Sequence, residues 1–205
     1  MASDKFTLKE ICSEFDIKTD IEAYGNGHIN DTYLCDTAPR FILQRLNTNV
    51  FKDPVSVMEN IVNVTEHLSK KITAAGGDPM RETLTVIPTK SGCSYFKADE
   101  NNYFRMYKFI EDSMSYDLVE NPIQLYHAGT AFGKFQSMLS DFSADRLHET
   151  IVDFHNTPKR VEQLNDAISN NAANRADSVR AEIDFAKEYA KYASAVIDKM
   201  NDGSV

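Results

Sequence analysis

The sequence predicts an α+β fold in which strands come first and helices follow. Segments up to residue 109 are short, are separated by turn residues, and are interrupted by one long helical pattern that opens at Asp53-Pro54. From Pro122 onward the apolar residues recur only at helical spacing. Strands followed by helices are typical of the α+β class. We therefore expect a sheet domain over residues 1–111 and a helical domain over residues 112–205.

The elements of the first domain follow from their caps and turns. Thr7 and Glu10 have capping-box spacing, which predicts a short helix at the N-terminus. Asp53 as N-cap and Pro54 at the first helical position begin the long helix, which ends at Lys70-Lys71. The expected strands are residues 17–23, 32–35, 41–46, a hairpin of 84–87 with 94–97, and 103–109.

The second domain is expected to be helical throughout. Its helices are predicted over residues 122–139, 158–168 and 171–200. We expect Tyr126, Phe132 and Phe135 to lie in the core, together with the alanine and tyrosine face of the last helix. Gly203 is a natural residue to end that helix.

Composition limits the class of protein. The chain has 205 residues, of which 42% are hydrophobic, and a net charge of −9. That charge argues against a nucleic-acid surface but not against binding one nucleotide. Cys12, Cys35 and Cys93 are widely spaced, which predicts free thiols in a reducing compartment. With no secretory signal and no apolar run of membrane-spanning length, we expect a cytoplasmic protein without membrane contact.

A glycine-bearing turn at residues 24–30 is the stretch with the clearest chemistry. Gly25 and Gly27 allow backbone N–H groups to approach an anion closely. A strand, turn and strand of this kind, with a charged side chain on the next strand, covers the phosphates of ATP in kinase-like folds. No Gly-Lys-Ser/Thr follows and the next segment is β-like, which excludes a Walker loop and a Rossmann fingerprint. Gly-Asn-Gly is also an ordinary hairpin turn.

Eight segments together resemble the N-acetylhexosamine 1-kinases, sugar kinases of the aminoglycoside and choline phosphotransferase superfamily. The resemblance covers most of the chain from Gly25 onward. The segments are GNGHINDTY at 25–33, ILQRLN at 42–47, VFKDP at 50–54, MENI at 58–61, VTEHL at 64–68, FRMYKFIE at 104–111, FGKFQ at 132–136 and IVDFHNTPKR at 151–160.

The resemblance implies a kinase-like N-terminal lobe, with an antiparallel sheet and one main helix, followed by the first helices of a C-terminal lobe. For the full-length parent it also implies ATP and Mg²⁺ as cofactors and phosphorylation of an N-acetylhexosamine at its anomeric hydroxyl. Choline, homoserine and aminoglycoside acceptors are alternatives within this class. A kinase-like binding module without catalysis is an alternative of another class.

The resemblance also implies where the nucleotide binds. One of two adjacent strand residues, Gln44 or Arg45, should face the phosphates, and we prefer Arg45 because a cation is needed there. Glu59, or its rival Glu66, should pair with that cation. The backbone of the connector at residues 107–110 should pair with adenine. The implied nucleotide-site residues are Gly25, Asn26, Gly27, His28, Asn30, Thr32, Gln44, Arg45, Glu59, Tyr107, Lys108, Phe109 and Ile110, and those of the sugar site are His155 and Asn156.

One part of the superfamily pattern is absent. The superfamily places its catalytic base in a His-x-Asp loop, and no histidine of this chain has Asp two residues on; there is no Asp-Phe-Gly either. We therefore expect a fragment that lacks the base and the metal-binding Asp and does not catalyse transfer. Truncation would expose apolar faces of the last helices, so dimerisation or aggregation through them is also expected.

Overall fold

The structure is a computed structural model and describes residues 6–116 and 118–204. Its contacts divide the chain into two compact units, one up to Thr150 and one from Ile151. The predicted boundary after residue 111 lies inside the first unit, just beyond the end of the sheet. The division of the chain into an N-terminal lobe and a C-terminal lobe at residue 111 stays a prediction.

A six-stranded antiparallel sheet forms the centre of the first unit. The strand order is β1-β2-β3-β6-β4, and β5 also pairs with β6. In the middle of the sheet, β3 and β6 pair over their whole length, with Gln44 opposite Arg105. The strands are β1 Ile21–Ala23, β2 Asp31–Cys35, β3 Phe41–Asn47, β4 Val86–Ile87, β5 Phe96–Lys97 and β6 Asn102–Lys108.

Two strand predictions are wrong. The first strand is Ile21–Ala23 rather than 17–23, because the Ile17 N–H turns back and donates to the Cys12 carbonyl at the end of the first helix, at 3.1 Å. The hairpin of 84–87 with 94–97 does not form. Instead, β4 and β5 pair one after the other with the edge of β6 that β3 leaves free.

The faces of the sheet are covered by different helices. Helix α1, Leu8–Glu14, packs Ile11 and Cys12 against one face, where Leu43 and Met106 are fully buried. Helix α2, Pro54–Ala74, covers part of the other face and packs Met58 against it; its partners there are Leu46 and Tyr103. We call these the α1 face and the α2 face. Because strand side chains alternate, Gln44 and Arg105 belong to the α2 face.

Two helices follow α2 in the first unit. Helix α3 is Pro79–Glu82, and helix α4 is Pro122–Met138, which Asn121 caps. The prediction that Tyr126, Phe132 and Phe135 lie in the core is wrong: Phe132 is 71% exposed and the other two are also exposed. Helical periodicity identified the helix correctly but could not show whether a neighbour covers its apolar side.

The second unit contains α5 (Thr157–Asn170), α6 (Arg180–Tyr189) and α7 (Ala195–Asn201). The predicted continuous helix over 171–200 is wrong. Asn171 adopts a left-handed conformation that ends α5, and 3₁₀ turns separate the later pieces. The alanine and tyrosine face is not a core: of the described residues in this unit, Ile183 alone is buried. None of the helices in the described residues combines the length and apolar character of a bilayer span.

Candidate nucleotide-binding site

The glycine turn is an open loop between β1 and β2. Gly25 has φ +75°, a conformation that favours glycine, and a Cβ placed there would meet nothing within 4 Å. Asn26, Gly27 and His28 are exposed, so the turn presents its backbone to solvent. An added Cβ at Gly27 would come no closer than 3.9 Å to the Asn30 carbonyl oxygen. The turn therefore has room for a ligand against its backbone.

Asn30 anchors this turn to the end of β3. Its side-chain oxygen accepts a hydrogen bond from the Asn47 backbone N–H at 3.0 Å, and the Asn47 amide donates to the Ile29 carbonyl at 3.0 Å. These two bonds fix the base of the turn and leave its tip free. The structure thus gives Asn30 an anchoring role beside its predicted place in the site.

A hydrogen-bonded row of polar side chains crosses the α2 face next to the turn. The Gln44 amide donates to the Thr32 hydroxyl at 2.9 Å, and the Gln44 oxygen accepts from Nε and Nη2 of Arg105 at 3.1 and 3.0 Å. Thr32 is the second residue of the strand that leaves the turn. The row therefore runs from the base of the turn to a cation on β6.

Arg45 lies on the opposite, α1 face. Its Nε donates to the Asp31 carboxylate at 2.8 Å, and Nη1 donates to the Asn102 side-chain oxygen at 3.3 Å. Glu59 instead pairs with His148, with 2.6 Å between Oε2 and Nε2. The predicted pair of Arg45 and Glu59 is therefore wrong, because alternation along β3 turns Arg45 away from the face on which α2 lies.

The connector begins where β6 ends. The Lys108 N–H donates a hydrogen bond to the Thr85 carbonyl, and the Phe109 N–H donates one to the Arg40 carbonyl, both at 3.0 Å. Beyond them, the Phe109 carbonyl and the Ile110 N–H have no hydrogen-bond partner within the described part of the chain. Tyr107 and Phe109 are buried and lie on the α2 face. This carbonyl and this N–H belong to one trans peptide group and point in opposite directions, so a ligand on one side of the connector can meet one of them, and the Ile110 N–H is the available donor.

Two contacts hold the connector in place. The Arg40 guanidinium forms a double hydrogen bond with the Glu111 carboxylate and lies 4.2 Å from the centroid of the Phe109 ring. Tyr24, at the start of the glycine turn, meets the Phe109 ring edge-to-face at 5.8 Å. The Arg40 guanidinium keeps the pKa of Glu111 below its ordinary value. The Tyr24 contact brings the turn and the connector together.

The two residues predicted for the sugar site lie in the second unit. Asn156 caps helix α5 by accepting a hydrogen bond from the Lys159 N–H at 3.2 Å, and its amide donates to Asp153 at 3.0 Å. His155 is exposed, with its ring edge-to-face against Phe154. A capping role therefore accounts for Asn156, and the sugar role of both residues stays a prediction.

Arg105 was not predicted as a site residue from the sequence, although it lies in the FRMYKFIE segment at 104–111 that carries part of the resemblance. The available signal was its spacing: Arg105, Tyr107 and Phe109 alternate and so share one face of β6 with the connector. Among the described residues, no three His, Cys, Asp or Glu side chains converge as metal ligands would.

Comparison with known structures bears on the fold of the chain. No protein-family model matches the sequence. Among solved structures, the chain is similar to the crystal structure of a spectinomycin phosphotransferase in complex with ADP and spectinomycin, with a TM-score of 0.55 over 90% of this chain. The two are 11% identical, and this chain spans 54% of that protein's chain, about half its length. The similarity confirms the predicted α+β class, and the chain has a kinase-like fold.

Proposed function

We propose that this chain carries the nucleotide-binding lobe of an ATP-dependent small-molecule phosphotransferase. The observation that carries the proposal is the meeting of the glycine turn and the connector through Tyr24 and Phe109. It brings the start of the turn close to the connector, where the Ile110 N–H has no hydrogen-bond partner within the described residues. The similarity in fold to a phosphotransferase crystallised with ADP supports the same reading.

The residues present fit a nucleotide. The ring nitrogen of adenine that lies beside its amino group is an acceptor, and the free Ile110 N–H of the connector can donate to it. The glycine turn offers backbone N–H groups to phosphate oxygens. Bound ATP would supply the phosphoryl group, and the chain would hold its base and cover its phosphates. The described residues do not fit Mg²⁺ in the same way, since no cluster of metal ligands occurs among them.

The acceptor that we propose is an N-acetylhexosamine, phosphorylated at its anomeric hydroxyl. Support comes from the eight segments that resemble the N-acetylhexosamine 1-kinases. An aminoglycoside acceptor is the second candidate, because the phosphotransferase of similar fold was crystallised with spectinomycin. Phosphoryl transfer would require a base and metal ligands in addition to the residues assigned above.

Two further expectations belong to this proposal. We propose a cytoplasmic location, where ATP and small acceptors are available. We also propose self-association through the exposed apolar side chains of the last helices, α6 and α7, among them Phe185, Tyr189 and Val196. A second copy of the chain would cover this face in an isologous contact.

The nucleotide site is tested by titrating the 205-residue chain with adenosine, guanosine and ADP in a calorimeter. We expect adenosine and ADP to bind and guanosine to bind more weakly. Ile110→Pro removes the connector N–H, and we expect adenosine affinity to fall about tenfold, the effect of one lost hydrogen bond. Ile110→Ala retains the N–H and is the matched control. Absence of binding by any adenine compound to the unmodified chain would refute the proposal.

A further inference from the structure

Arg105 is a mostly buried cation that pairs with no carboxylate in the described part of the chain. The guanidinium donates to Gln44 alone, and no Asp or Glu within the described residues forms an ion pair with it. Burial lowers the pKa of Arg105 from its ordinary value, so the low-polarity surroundings disfavour its charge. A buried charge that lacks a counter-charge is costly. Such an arrangement indicates a group whose partner is an anion from outside the chain.

Gln44 fixes the direction of that cation. Its single side-chain oxygen accepts from both Nε and Nη2 of Arg105, so one edge of the guanidinium is occupied. Its amide is in turn held by the Thr32 hydroxyl. Among the described residues, Nη1 has no hydrogen-bond partner. Nη1 can therefore donate a hydrogen bond to an oxyanion under the glycine turn while the hydrogen bonds among Thr32, Gln44 and Arg105 stay intact.

We propose that Arg105, on β6, is the phosphate-binding cation of the nucleotide site, and that Gln44 is its positioning residue. This inference rests on the proposed function. In protein kinases the corresponding charge comes from a lysine on the third strand, which an acid on the following helix holds in place. Here the third strand offers an uncharged Gln44 on the α2 face, and its cation Arg45 is committed to Asp31 on the other face.

The pairing of the strands explains how the charge can come from a neighbour. Gln44 and Arg105 are direct partners across β3 and β6, so their side chains leave the sheet side by side on the same face. The longer arginine side chain reaches past the glutamine and is held by it. The acid of the kinase arrangement is then unnecessary, which agrees with Glu59 pairing elsewhere, with His148.

A purely structural role is the main alternative. The Arg105 guanidinium lies 5.2 Å from the centroid of the Tyr107 ring, and such a cation–π contact offsets part of the cost of burial. It does not neutralise the charge. The two roles differ in their consequence for ligands, because replacing Arg105 lowers the preference for ADP over adenosine only if its guanidinium binds phosphate.

The decisive measurement is the ratio of the ADP and adenosine dissociation constants, obtained by calorimetry at fixed salt. Gln44→Glu keeps the size of the side chain and adds a carboxylate that pairs with Arg105 and competes with phosphate. We expect this variant to lose about 10- to 100-fold in ADP affinity, the range of a charge-assisted hydrogen bond, with adenosine affinity unchanged. Arg105→Met should lower the preference in the same way.

The matched control is Arg45→Met, which removes a cation one residue away in β3 but on the α1 face. Its ratio should equal that of the unmodified chain. In the Arg105→Met background, Gln44→Lys returns a cation to the α2 face and should restore the preference for ADP. An unchanged ratio in Gln44→Glu would overturn the assignment, while adenosine binding would leave the proposed function intact. If neither adenosine nor ADP binds the unmodified chain, the proposed function fails instead.

Discussion

At the scale of single residues, the ion pair of Arg40 and Glu111 decides where the connector runs. Arg40 directly precedes β3, and Glu111 directly follows the connector. Their ion pair therefore ties the end of the connector to the start of β3. About two fifths of the Glu111 side chain is exposed, and solvent screens the interaction in part. The contribution of the pair should therefore be detected through its pH dependence.

Replacing Glu111 by Gln should destabilise the chain at neutral pH and have little effect in acid. Hydrogen bonding from Arg40 lowers the folded-state pKa of Glu111 below its ordinary value of 4.5. A carboxyl of this kind stabilises the fold above its unfolded-state pKa, and that stabilisation is lost as pH falls through the lower folded-state value. The check is the difference in unfolding free energy between the unmodified chain and E111Q, measured in denaturant at pH 7 and near pH 3.

Glu22→Gln provides the control for that series, since Glu22 is exposed and forms no ion pair within the described residues. It should shift the unfolding midpoint little at either pH. A difference for E111Q that is the same at pH 7 and pH 3 would mean that packing, rather than charge, accounts for the effect.

The site was only partly predictable from its residues. Alternation along a strand places Gln44 and Arg45 on opposite faces of the sheet, but which of them lies on the α2 face depends on where α2 packs, and that is a tertiary fact. The need for a cation favoured Arg45. Arg105 supplies a cation on the α2 face from a strand 61 residues away in sequence, a distance that local spacing cannot bridge.

At the scale of elements, α2 is the helix that holds the site face in place. Asp53 caps it by accepting from the N–H groups of Val55 and Ser56, both at 3.1 Å. Four positions after its first residue, Met58 is fully buried against Leu46 and Tyr103 of the sheet. The cap was readable in the sequence, and the helix begins where the cap predicted.

Met58→Ala should therefore cost about 2–5 kcal/mol of unfolding free energy, because it leaves a cavity between α2 and the sheet. Phe132→Ala on α4 removes a larger side chain that is 71% exposed, and should change stability by less than about 0.5 kcal/mol. The change in unfolding free energy of each variant is measured by urea denaturation, with circular dichroism as the probe. A loss for F132A as large as that for M58A would show that α4 is covered in solution.

Predictions failed where an element's partner is distant. The turn between β4 and β5 exists, with the Thr89 N–H donating to the Cys93 carbonyl at 2.8 Å, yet both strands pair with β6. Likewise the residues of 171–200 are helical in pieces, but Asn171 and the 3₁₀ turns interrupt them. Local signals identify turns and helical residues, and they do not identify which edge or neighbour an element will meet.

At the scale of the whole molecule, burial is distributed unevenly between the two units. The fully buried side chains all belong to the sheet or to the two helices that cover it, and they are Cys12, Cys35, Leu43, Leu46, Met58 and Met106. In the second unit, Ile183 alone is buried among the described residues. Since burial of apolar surface is the main stabilising term, the second unit has little stability of its own.

Hydrogen exchange should reproduce this division. Amides of β3 and β6, which are paired on both edges over much of their length, should exchange only on global unfolding of the first unit. Amides of α5 and α6 should exchange orders of magnitude faster, because opening them exposes little apolar surface. Mass spectrometry of peptides from 41–47, 102–108, 157–170 and 180–189 separates these classes. Protection of α5 equal to that of β6 would mean that the second unit is stabilised by contacts beyond its own core.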